Sequence, residues 1–387
     1  MNRTSGVPME VLRGSSAVTA AERLGGGAGA YWRRVLEQGA GSVAENLGGS
    51  SGVLRQGEVV IPFTALSPAS DASFASSLRT QYLLYPQEEL HFLASERERK
   101  VARIALQGAA ALARLVSVDR VVQWSDFLLS TNHHRPDLAD HVRSATAALS
   151  GAYPEHALLV RSLDRRTHGA AIAALEAEGY LLLPSRVVYY FDGVAGGFAS
   201  RNTTKRDRRM LSDGRFEAVG GAGFSAGDGE ALAWLYRQVY VDKHSRLNTR
   251  YLAPFLSQAV AEGMLSFRGL RDGSGALVAA IGIFSFGGLW TVPFVGYEVG
   301  APAEDALYRR LVSGLLEEVK REKLLLNYSS GADDFKRRRG GEPVAEYHAV
   351  YAGHLPASRR LLYRGLAEAV ARGSASVFGG LLAGEIG

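Results

Sequence analysis

Residues 289–329, LWTVPFVGYEVGAPAEDALYRRLVSGLLEEVKREKLLLNYS, contain an apolar β-rich segment, an amphipathic segment and a second short apolar segment. The amphipathic segment predicts a helix, because its apolar residues recur at the spacing of one helical face. Those residues are Leu307, Tyr308, Leu311, Val312, Leu315, Leu316 and Val319. Lys320, Arg321 and Lys323 suit the negative C-terminal end of the helix dipole. The stretch therefore predicts a strand, a helix and a parallel strand, a unit with which many α/β folds build a cofactor crevice.

The segment before it, from residue 264, predicts a three-stranded meander. Residues 277–297 run without a charge for about 20 positions, which is also the length that a membrane-spanning helix needs. Gly287 and Gly288 lie in the middle of this run and Pro293 lies near its end, among many β-branched and aromatic residues. A Gly-Gly pair between two β-rich runs is a hairpin signal. We therefore expect a buried hairpin and not a membrane span.

Composition limits the chemistry that the chain can perform. A chain of 387 residues that is 47% hydrophobic is long enough for two domains with ample cores. The chain contains no cysteine, which excludes disulfides, thiolate metal sites and a cysteine nucleophile. The nine histidines are scattered, so no metal-binding cluster is expected. The N-terminus lacks the apolar core of a secretory signal, which favours a cytoplasmic protein.

The net charge of +5 is concentrated in two dense runs, residues 201–209 (RNTTKRDRR) and 336–339 (KRRR). Such runs are often only a solvated basic face of the protein. They also suit an anion site for a nucleotide, a pantetheine phosphate, a carrier protein or an RNA backbone. Both interpretations stay open at the level of sequence.

Composition shifts divide the chain into four parts. Residues 1–52 are rich in Gly, Ser and Ala around one short helical segment, YWRRVLEQ, and predict a flexible, loosely packed arm. Residues 53–215 and 216–365 predict two mixed α/β halves packed side by side, and residues 366–387 predict a tail. Residues 157–191 predict a strand, a helix and a strand, and this unit resembles the one at 289–329 in outline.

Several segments resemble one protein family. They are FASSLRTQYLLYPQEEL, FLLSTN, LLVRSL, LPSRVVYYFD, RNTTKRDRRML, YVDKHSRLN, VGYEVGAPAEDALYRRL and LNYSSGADDFKRRRGGEPVAEYHAVYAGHLP. The C-terminal half resembles GNAT-type acyltransferases. Residues from about 70 to 365 resemble the double-GNAT, Fem-like group, whose members are described as acyltransferases or as peptidoglycan biosynthesis or recognition proteins.

The resemblance implies transfer of an acyl or aminoacyl group to an amine, in specialised metabolism or in envelope biosynthesis. The expected partners are a donor (a carrier protein, an aminoacyl-tRNA or acyl-CoA), a small-molecule amine acceptor and a protein partner. In a GNAT the amine attacks the thioester directly, so the protein supplies positioning, an oxyanion donor, a base and an acid. Two alternatives stay open. One is a binding or scaffold protein without catalysis, and the other is a GNAT-like fold used for a cyclisation of a carrier-bound amine.

The chain departs from the GNAT pattern where the coenzyme A pyrophosphate is held. A typical member has a glycine-rich turn there, with backbone N–H groups and a helix N-terminus facing the phosphates. This chain reads VGAPAEDA, in which Pro302 has no N–H and Glu304 and Asp305 repel a phosphate. The turn therefore disfavours acyl-CoA and favours a carrier-protein or aminoacyl-tRNA donor.

The candidate site residues follow from the family-like blocks and from their chemistry. The block after the last strand of the 289–329 unit offers a nest of N–H groups at Ser329, Ser330 and Gly331 and two cations that could hold an anion. Glu346 is a candidate base, with Tyr347 or Tyr328 as the acid; pairing of Glu346 with an arginine is the alternative. The catalytic candidates are Glu346, Tyr347, Lys336, Ser330 and Tyr297. The substrate-binding candidates are Lys243, Ser245, Asn248, Glu298, Arg339, Arg161, Ser185 and Arg186.

Simpler interpretations accompany these residues. Lys243, Ser245 and Asn248 follow an apolar helix, and residues of these types also end helices and form turns. The sequence His133-His134-Arg135-Pro136-Asp137 contains a His-x-x-x-Asp spacing, but Leu138 and Ala139 stand where an acyltransferase histidine motif needs Asp and Gly. We therefore assign no catalytic role to these histidines.

Overall fold

A computed structural model of the chain describes residues 8–66, 71–88, 90, 95–115 and 117–385. The strands in these ranges are β1 (Glu10–Leu12), β2 (Ser50–Gln56), β3 (Val59–Ala65), β4 (Val121–Trp124), β5 (Ala157–Asp164), β6 (Leu181–Asp192), β7 (Glu217–Gly220), β8 (Ser266–Arg271), β9 (Leu277–Phe286), β10 (Leu289–Tyr297), β11 (Leu325–Asn327) and β12 (Glu342–Tyr351). The α-helices are α1 (Gly14–Ala21), α2 (Gly26–Gln38), α3 (Tyr85–Glu88), α4 (Glu96–Leu115), α5 (Leu138–Ala152), α6 (Arg165–Ala177), α7 (Asn202–Arg208), α8 (Gly229–Tyr236), α9 (Ala253–Ala261), α10 (Leu307–Arg321), α11 (Asp333–Arg338) and α12 (Ala357–Glu385). π-Helical segments precede α3 (Thr80–Leu84) and follow α8 (Arg237–Asp242).

The twelve strands of the described residues form one mixed sheet in the order β1-β2-β3-β4-β5-β12-β6-β11-β10-β9-β8-β7. Two neighbouring pairs are parallel, β4 with β5 and β10 with β11, and a single long helix connects each pair. The unit predicted at 289–329 is therefore confirmed as strand, helix and parallel strand. The mixed α/β fold class with two halves side by side is confirmed as well, since each parallel unit occupies its own half of the sheet.

The strand-helix-strand unit of the N-terminal half that resembles 289–329 is not the one predicted at 157–191. The counterpart of β10-α10-β11 is β4-α5-β5, whereas the predicted unit β5-α6-β6 has no adjacent strand pair. Strand β12 lies between β5 and β6 and is antiparallel to both. A strand from the predicted C-terminal half thus completes the N-terminal half. Sequence order does not show this insertion, because a strand pairs wherever its backbone donors and acceptors find partners.

The predicted apolar face of α10 is confirmed. Its six aliphatic residues pack against β8, β9 and β10 on one face of the sheet. The hairpin between β9 and β10 is also confirmed, since Gly287 and Gly288 both have positive φ at the turn, a region that favours glycine. No helix in the described ranges is long and apolar enough to cross a membrane.

The expectation of a flexible N-terminal arm is wrong for the described residues 8–52. They form β1, α1, α2 and the start of β2, and the side chains of Tyr31 and Trp32 on α2 are fully buried. The glycines that suggested looseness serve close packing: a Cβ on Gly27 would lie 2.5 Å from the carbonyl oxygen of Gly263. The core around α2 contains residues of both halves, so this segment joins them. Residues 1–7 lie outside the described ranges.

The predicted boundary at residue 365 falls inside a continuous helix, because α12 runs from Ala357 to Glu385. Its first turns belong to the core, where the buried Tyr363 hydroxyl donates to the carbonyl of Val118 at 2.9 Å. Leu366 and Ala367, at the start of the predicted tail, also pack against this core.

Candidate active site

The centre of the sheet holds a buried carboxylate. Glu346 on β12 lies opposite Arg186 on β6, and the pairing then slips so that Tyr347 lies opposite Pro184. This bulge leaves Ser185 unpaired and brings two consecutive side chains to one carboxylate. Arg186 Nε donates to Glu346 Oε1 at 2.9 Å, and Ser185 Oγ donates to the same oxygen at 3.3 Å. Pairing of Glu346 with an arginine, one of the two interpretations of the sequence, is what the structure shows.

Arg186 also joins two loops to this carboxylate. Its Nη2 donates to the carbonyl of Ser130 at 2.5 Å and to Thr131 Oγ1 at 2.8 Å, both in the loop after β4. Its Nη1 is 3.4 Å from Ser330 Oγ, in the loop after β11. The loops after β4 and β11 therefore meet at the Arg186 guanidinium, and 16% of the Arg186 side chain is exposed.

His348, which the sequence interpretation missed, lies two residues beyond Glu346 and on the same face of β12. Its Nδ1 accepts from the backbone N–H of Ser162 at 3.4 Å, and its Nε2 is 3.5 Å from Ser185 Oγ. Burial holds the pKa of His348 well below its ordinary value, and the charge of Arg161 acts in the same direction. The two-residue period of a strand would have found His348 from Glu346.

Arg161, on β5, extends the charged cluster. Its Nη1 donates to the carbonyl of Ala75 at 2.8 Å and lies 3.6 Å from Asp126 Oδ2. Burial raises the pKa of Asp126, while the charge of Arg161 opposes this shift. Asp126 was not predicted from sequence, although it stands directly after β4 in the stretch DRVVQWSD. The side chains of Arg161 and Asp126 are almost fully buried, whereas those of Ser185 and Arg186 are half-buried and more accessible.

Three aromatic side chains, Tyr297, Tyr308 and Phe335, pack together where β10 continues beyond its pairing with β11, and they are called the aromatic cluster below. The two strands pair only from Leu289 with Leu325 to Thr291 with Asn327, and β10 has an irregularity between Thr291 and Phe294 before it continues to Tyr297. The rings of Tyr297 and Tyr308 are 5.9 Å apart, and those of Tyr308 and Phe335 are 4.8 Å apart. Of the predicted catalytic residues, Tyr297 therefore lies in the aromatic cluster.

Lys336 is buried and is hydrogen-bonded to the loop after β11. Its Nζ donates to the carbonyl oxygens of Tyr328 at 2.8 Å, Ser329 at 3.1 Å and Ser330 at 2.7 Å. An ammonium has three protons, and here each has an acceptor. Lys336 therefore holds the Ser329–Ser330 loop in place and faces no free space in which to act as a base.

Burial lowers the pKa of Lys336 to about 7, against an ordinary value of 10.5. Between these values the unfolded chain binds a proton that the folded protein has released, so the free energy of unfolding should rise with pH from about 7 to 10. We expect the wild-type protein to gain stability relative to Lys336→Met over this range in urea unfolding. Lys205→Met, at an exposed lysine of α7, is the control. A constant difference between wild type and Lys336→Met from pH 6 to pH 10 would contradict the shift.

Other predicted residues are used in local contacts. Tyr347 points to the opposite face of β12 from Glu346 and packs with Leu182 and Val187. Arg339 is buried, and its Nε donates to Asp207 Oδ2 at 2.7 Å. Both residues are thus placed apart from the Glu346 carboxylate.

The motif at 243–248 takes the form of a helix termination. Asn248 Nδ2 donates to the carbonyls of Tyr240 at 2.8 Å and Ser245 at 3.2 Å, and Ser245 Oγ accepts from the backbone N–H of Leu247 at 2.9 Å. Lys243 is exposed. These contacts correspond to the simpler interpretation of the motif. Glu298, the last predicted binding residue, is half-buried directly after β10, where its backbone N–H donates to the carbonyl of Val278 at 3.0 Å.

The start of α10 does not fit a coenzyme A pyrophosphate. Pro302 has no N–H, Glu304 is exposed, and the Asp305 carboxylate lies 3.4 Å from Arg215. The carbonyl of Asp305 accepts from Arg310 Nε at 2.8 Å, which holds the turn closed on the helix. Two carboxylates thus stand where phosphate oxygens would need donors.

His133 and His134, to which the sequence analysis assigns no catalytic role, are both buried. His134 is buried with its Nδ1 2.9 Å from Ser125 Oγ and its Nε2 2.7 Å from the carbonyl of Arg161. His133 is also buried, and burial lowers its pKa to about 3. Both rings therefore stay neutral inside the N-terminal half.

Comparisons with known proteins find similarity to solved structures only. No protein-family model matches the sequence, and no curated protein matches it. Among solved structures the chain is similar to FemX (7% identity, TM-score 0.45), covering 58% of this chain and 78% of FemX. It is similar to L-PGS from Bacillus licheniformis (14% identity, TM-score 0.40), covering 57% of this chain and 74% of that one. It is also similar to a tandem GNAT protein from the clavulanic acid biosynthesis pathway (14% identity, TM-score 0.37), covering 91% and 99%.

All three TM-scores are below 0.5, and the fold class rests on the strand order and on the two parallel units. The identities do not define a donor or an acceptor.

Proposed function

We propose that the chain is an acyl or aminoacyl transferase that uses Glu346 as the final acceptor of the proton from an amine substrate. The observation that carries this proposal is the Glu346 carboxylate, which is buried at the junction of both halves and paired with Arg186. Buried charged groups are typical of catalytic sites. The acyl chain or the amine-bearing side chain would lie against the aromatic cluster of Tyr297, Tyr308 and Phe335.

In this reaction the amine nitrogen attacks the carbonyl carbon of the donor. A C–N bond forms, and the bond from the carbonyl carbon to the leaving oxygen or sulfur breaks with its electron pair. Arg186 Nη1 would stabilise the oxyanion, since its two protons have a single contact among the described residues, with Ser330 Oγ at 3.4 Å. The proton of the amine passes to the carboxylate side of the site, as in general base catalysis. No covalent enzyme intermediate is needed.

The donor that we propose is a polyanion, with aminoacyl-tRNA ahead of a carrier protein and of free acyl-CoA. The two basic runs of the sequence lie side by side in the structure, because Thr203 Oγ1 donates to the carbonyl of Arg338 at 2.6 Å and Arg339 pairs with Asp207. The basic surface of α7 and α11 consists of the exposed residues Arg201, Lys205, Arg206, Arg208, Arg209, Arg337 and Arg338. Arginine binds phosphate oxygens through two parallel hydrogen bonds, which favours an RNA backbone.

The same short helix connects the basic surface to the candidate active site. On α11 Arg337 and Arg338 are exposed, while Lys336 holds the carbonyls of the Ser329–Ser330 loop. A polyanion bound to Arg337 and Arg338 on the exposed side of α11 would therefore place its acyl end close to the aromatic cluster.

Native mass spectrometry or calorimetry of the purified protein tests the donor with coenzyme A, an acylated carrier protein and aminoacyl-tRNA in parallel. Transfer is then followed by mass spectrometry of the amide formed from the bound donor and a panel of small amines. Binding of aminoacyl-tRNA alone, followed by amide formation, is the expected result. Binding of none of the three donors would favour the scaffold alternative.

Charge reversal on the basic surface should weaken tRNA binding. Arg337→Glu with Arg338→Glu removes about two phosphate contacts, so we expect at least about a tenfold loss of affinity and a shallower dependence on salt. Fluorescence anisotropy with labelled tRNA at several salt concentrations measures both. Arg364→Glu, at an exposed arginine of α12, is the matched control. Equal losses in the control and the double variant would show that only net charge matters.

A further inference from the structure

The Glu346 carboxylate cannot meet a substrate directly. Only 1% of its side chain is exposed, and its two oxygens accept from Arg186 and Ser185. Ser185 is half-buried and stands between the carboxylate and the more accessible side of the site. We propose that the Ser185 hydroxyl passes the proton of the acceptor amine to Glu346, and that His348 orients this hydroxyl. This inference rests on the proposed function and adds two residues to its chemistry.

The tautomer of His348 follows from its contact with the backbone. An amide N–H can only donate, so the Ser162 N–H at 3.4 Å requires a lone pair on His348 Nδ1. The ring is neutral, because burial and the charges of Arg161 and Arg186 lower its pKa well below the ordinary value and outweigh a backbone hydrogen bond at Tyr347 that raises it. A neutral imidazole carries one proton, which must then sit on Nε2. Nε2 therefore donates in its contact with Ser185 Oγ at 3.5 Å.

This assignment gives the Ser185 hydroxyl a defined orientation. A hydroxyl has one proton and two acceptor positions. Its proton points to Glu346 Oε1 at 3.3 Å, and one acceptor position receives the His348 Nε2 proton. The second acceptor position remains for an N–H of the substrate amine. These contacts are long for hydrogen bonds. Hydrogen bonds between catalytic groups are often long without substrate and shorten when the substrate binds.

The bulge in β6 makes the arrangement geometrically possible. Consecutive strand residues normally point to opposite faces of a sheet, which would separate Ser185 from Arg186. The register slip between Glu346 with Arg186 and Tyr347 with Pro184 leaves Ser185 as the extra residue. Bulges re-aim single side chains in this way and are common beside active sites.

The transfer step is balanced in protons and electrons. As the amine nitrogen forms its bond to the donor carbonyl carbon, its proton moves to Ser185 Oγ and the proton of Ser185 moves to Glu346 Oε1. The leaving oxygen or sulfur departs with the electron pair of its bond to carbon and takes up the proton that Glu346 returns through Ser185. Glu346 is then ionised again for the next turnover. His348 stays neutral throughout and is a positioning residue.

Nitrogen-15 NMR of the histidine rings tests the tautomer on the free protein, with His348→Gln used to assign the signal. We expect a neutral ring protonated at Nε2 from pH 6 to pH 8, and a change in its Nε2 shift in Ser185→Ala. A ring protonated at Nδ1, or an imidazolium, would overturn the proposed orientation. This measurement needs neither donor nor acceptor, so it is independent of the proposed function.

Kinetics of three variants separate the relay from the reaction itself. Ser185→Ala should lower kcat about 100-fold with little change in KM, and Ser185→Thr, which keeps the hydroxyl, should recover most of the rate. Full activity in Ser185→Ala together with an inactive Glu346→Gln would overturn the relay and leave the proposed function standing. Unchanged transfer in both variants would overturn the role of Glu346, and absence of transfer in the wild-type protein would overturn the proposed function itself. Circular dichroism confirms that each variant is folded.

Discussion

Glu346→Gln should lower kcat for amide formation by a factor on the order of 10² to 10⁴, the usual contribution of a general base. Glutamine has the shape of glutamate and can still accept from Arg186 and Ser185, but it cannot take up the proton of the amine. The loss should therefore fall on kcat and not on donor binding. Steady-state kinetics with the donor and acceptor identified by binding and mass spectrometry measure the effect.

Glu342→Gln provides the matched control for this variant. Glu342 lies on the same strand, its side chain is 59% exposed, and it pairs with Arg166 at the surface. An exposed ion pair contributes little, so the control should keep wild-type kcat and stability. If Glu346→Gln formed amide as fast as the wild-type protein, a residue other than Glu346 would have to be the base.

Trp32→Ala should lower the free energy of unfolding by about 3–5 kcal/mol, as expected for loss of a buried tryptophan. Trp32 on α2 is fully buried, and its ring lies 6.3 Å from those of Tyr31 and Phe127. The core that contains it includes Leu159 of the N-terminal half and Phe294 of the C-terminal half. Its removal should therefore loosen both halves together. Unfolding in guanidinium, followed by fluorescence and by circular dichroism, measures the change.

Trp234→Ala is the matched control, since Trp234 on α8 is 52% exposed. Its substitution should change the free energy of unfolding by less than about 0.5 kcal/mol. A loss in Trp32→Ala no greater than in this control would mean that the N-terminal segment does not stabilise the core. Two separate transitions in Trp32→Ala alone would show that α2 couples the two halves.

The local pattern of the chain predicted its elements well. The structure agrees with three local predictions: the apolar face of α10, the Gly-Gly turn between β9 and β10, and the strand after α10. Neighbouring residues determine helix periodicity and turn geometry, so these features could be predicted. The prediction for the N-terminal segment was wrong for a clear reason. Its glycines were interpreted as flexibility, whereas Gly27 permits a backbone approach that no other residue would allow.

The candidate site shows the same division. Arg161, Ser185, Arg186 and Glu346 were all named from the sequence, and the structure places them in one polar cluster. Lys243, Ser245, Asn248, Tyr347 and Arg339 were named by the same reasoning, yet they have local or structural contacts. Residue type and spacing indicate which side chains can perform chemistry, but they do not indicate which of them already have partners.

The sequence by itself determined the fold class, the helix and hairpin of the C-terminal half, the absence of cysteine chemistry and the presence of two basic runs. Only the tertiary structure decided that β12 inserts between β5 and β6, that the basic runs form one surface, and that a bulge brings Ser185 and Arg186 to Glu346. The physical reason is the range of the interactions involved. Periodicity and turns depend on residues a few positions apart, whereas strand insertion and buried ion pairs depend on contacts between residues more than 100 positions apart.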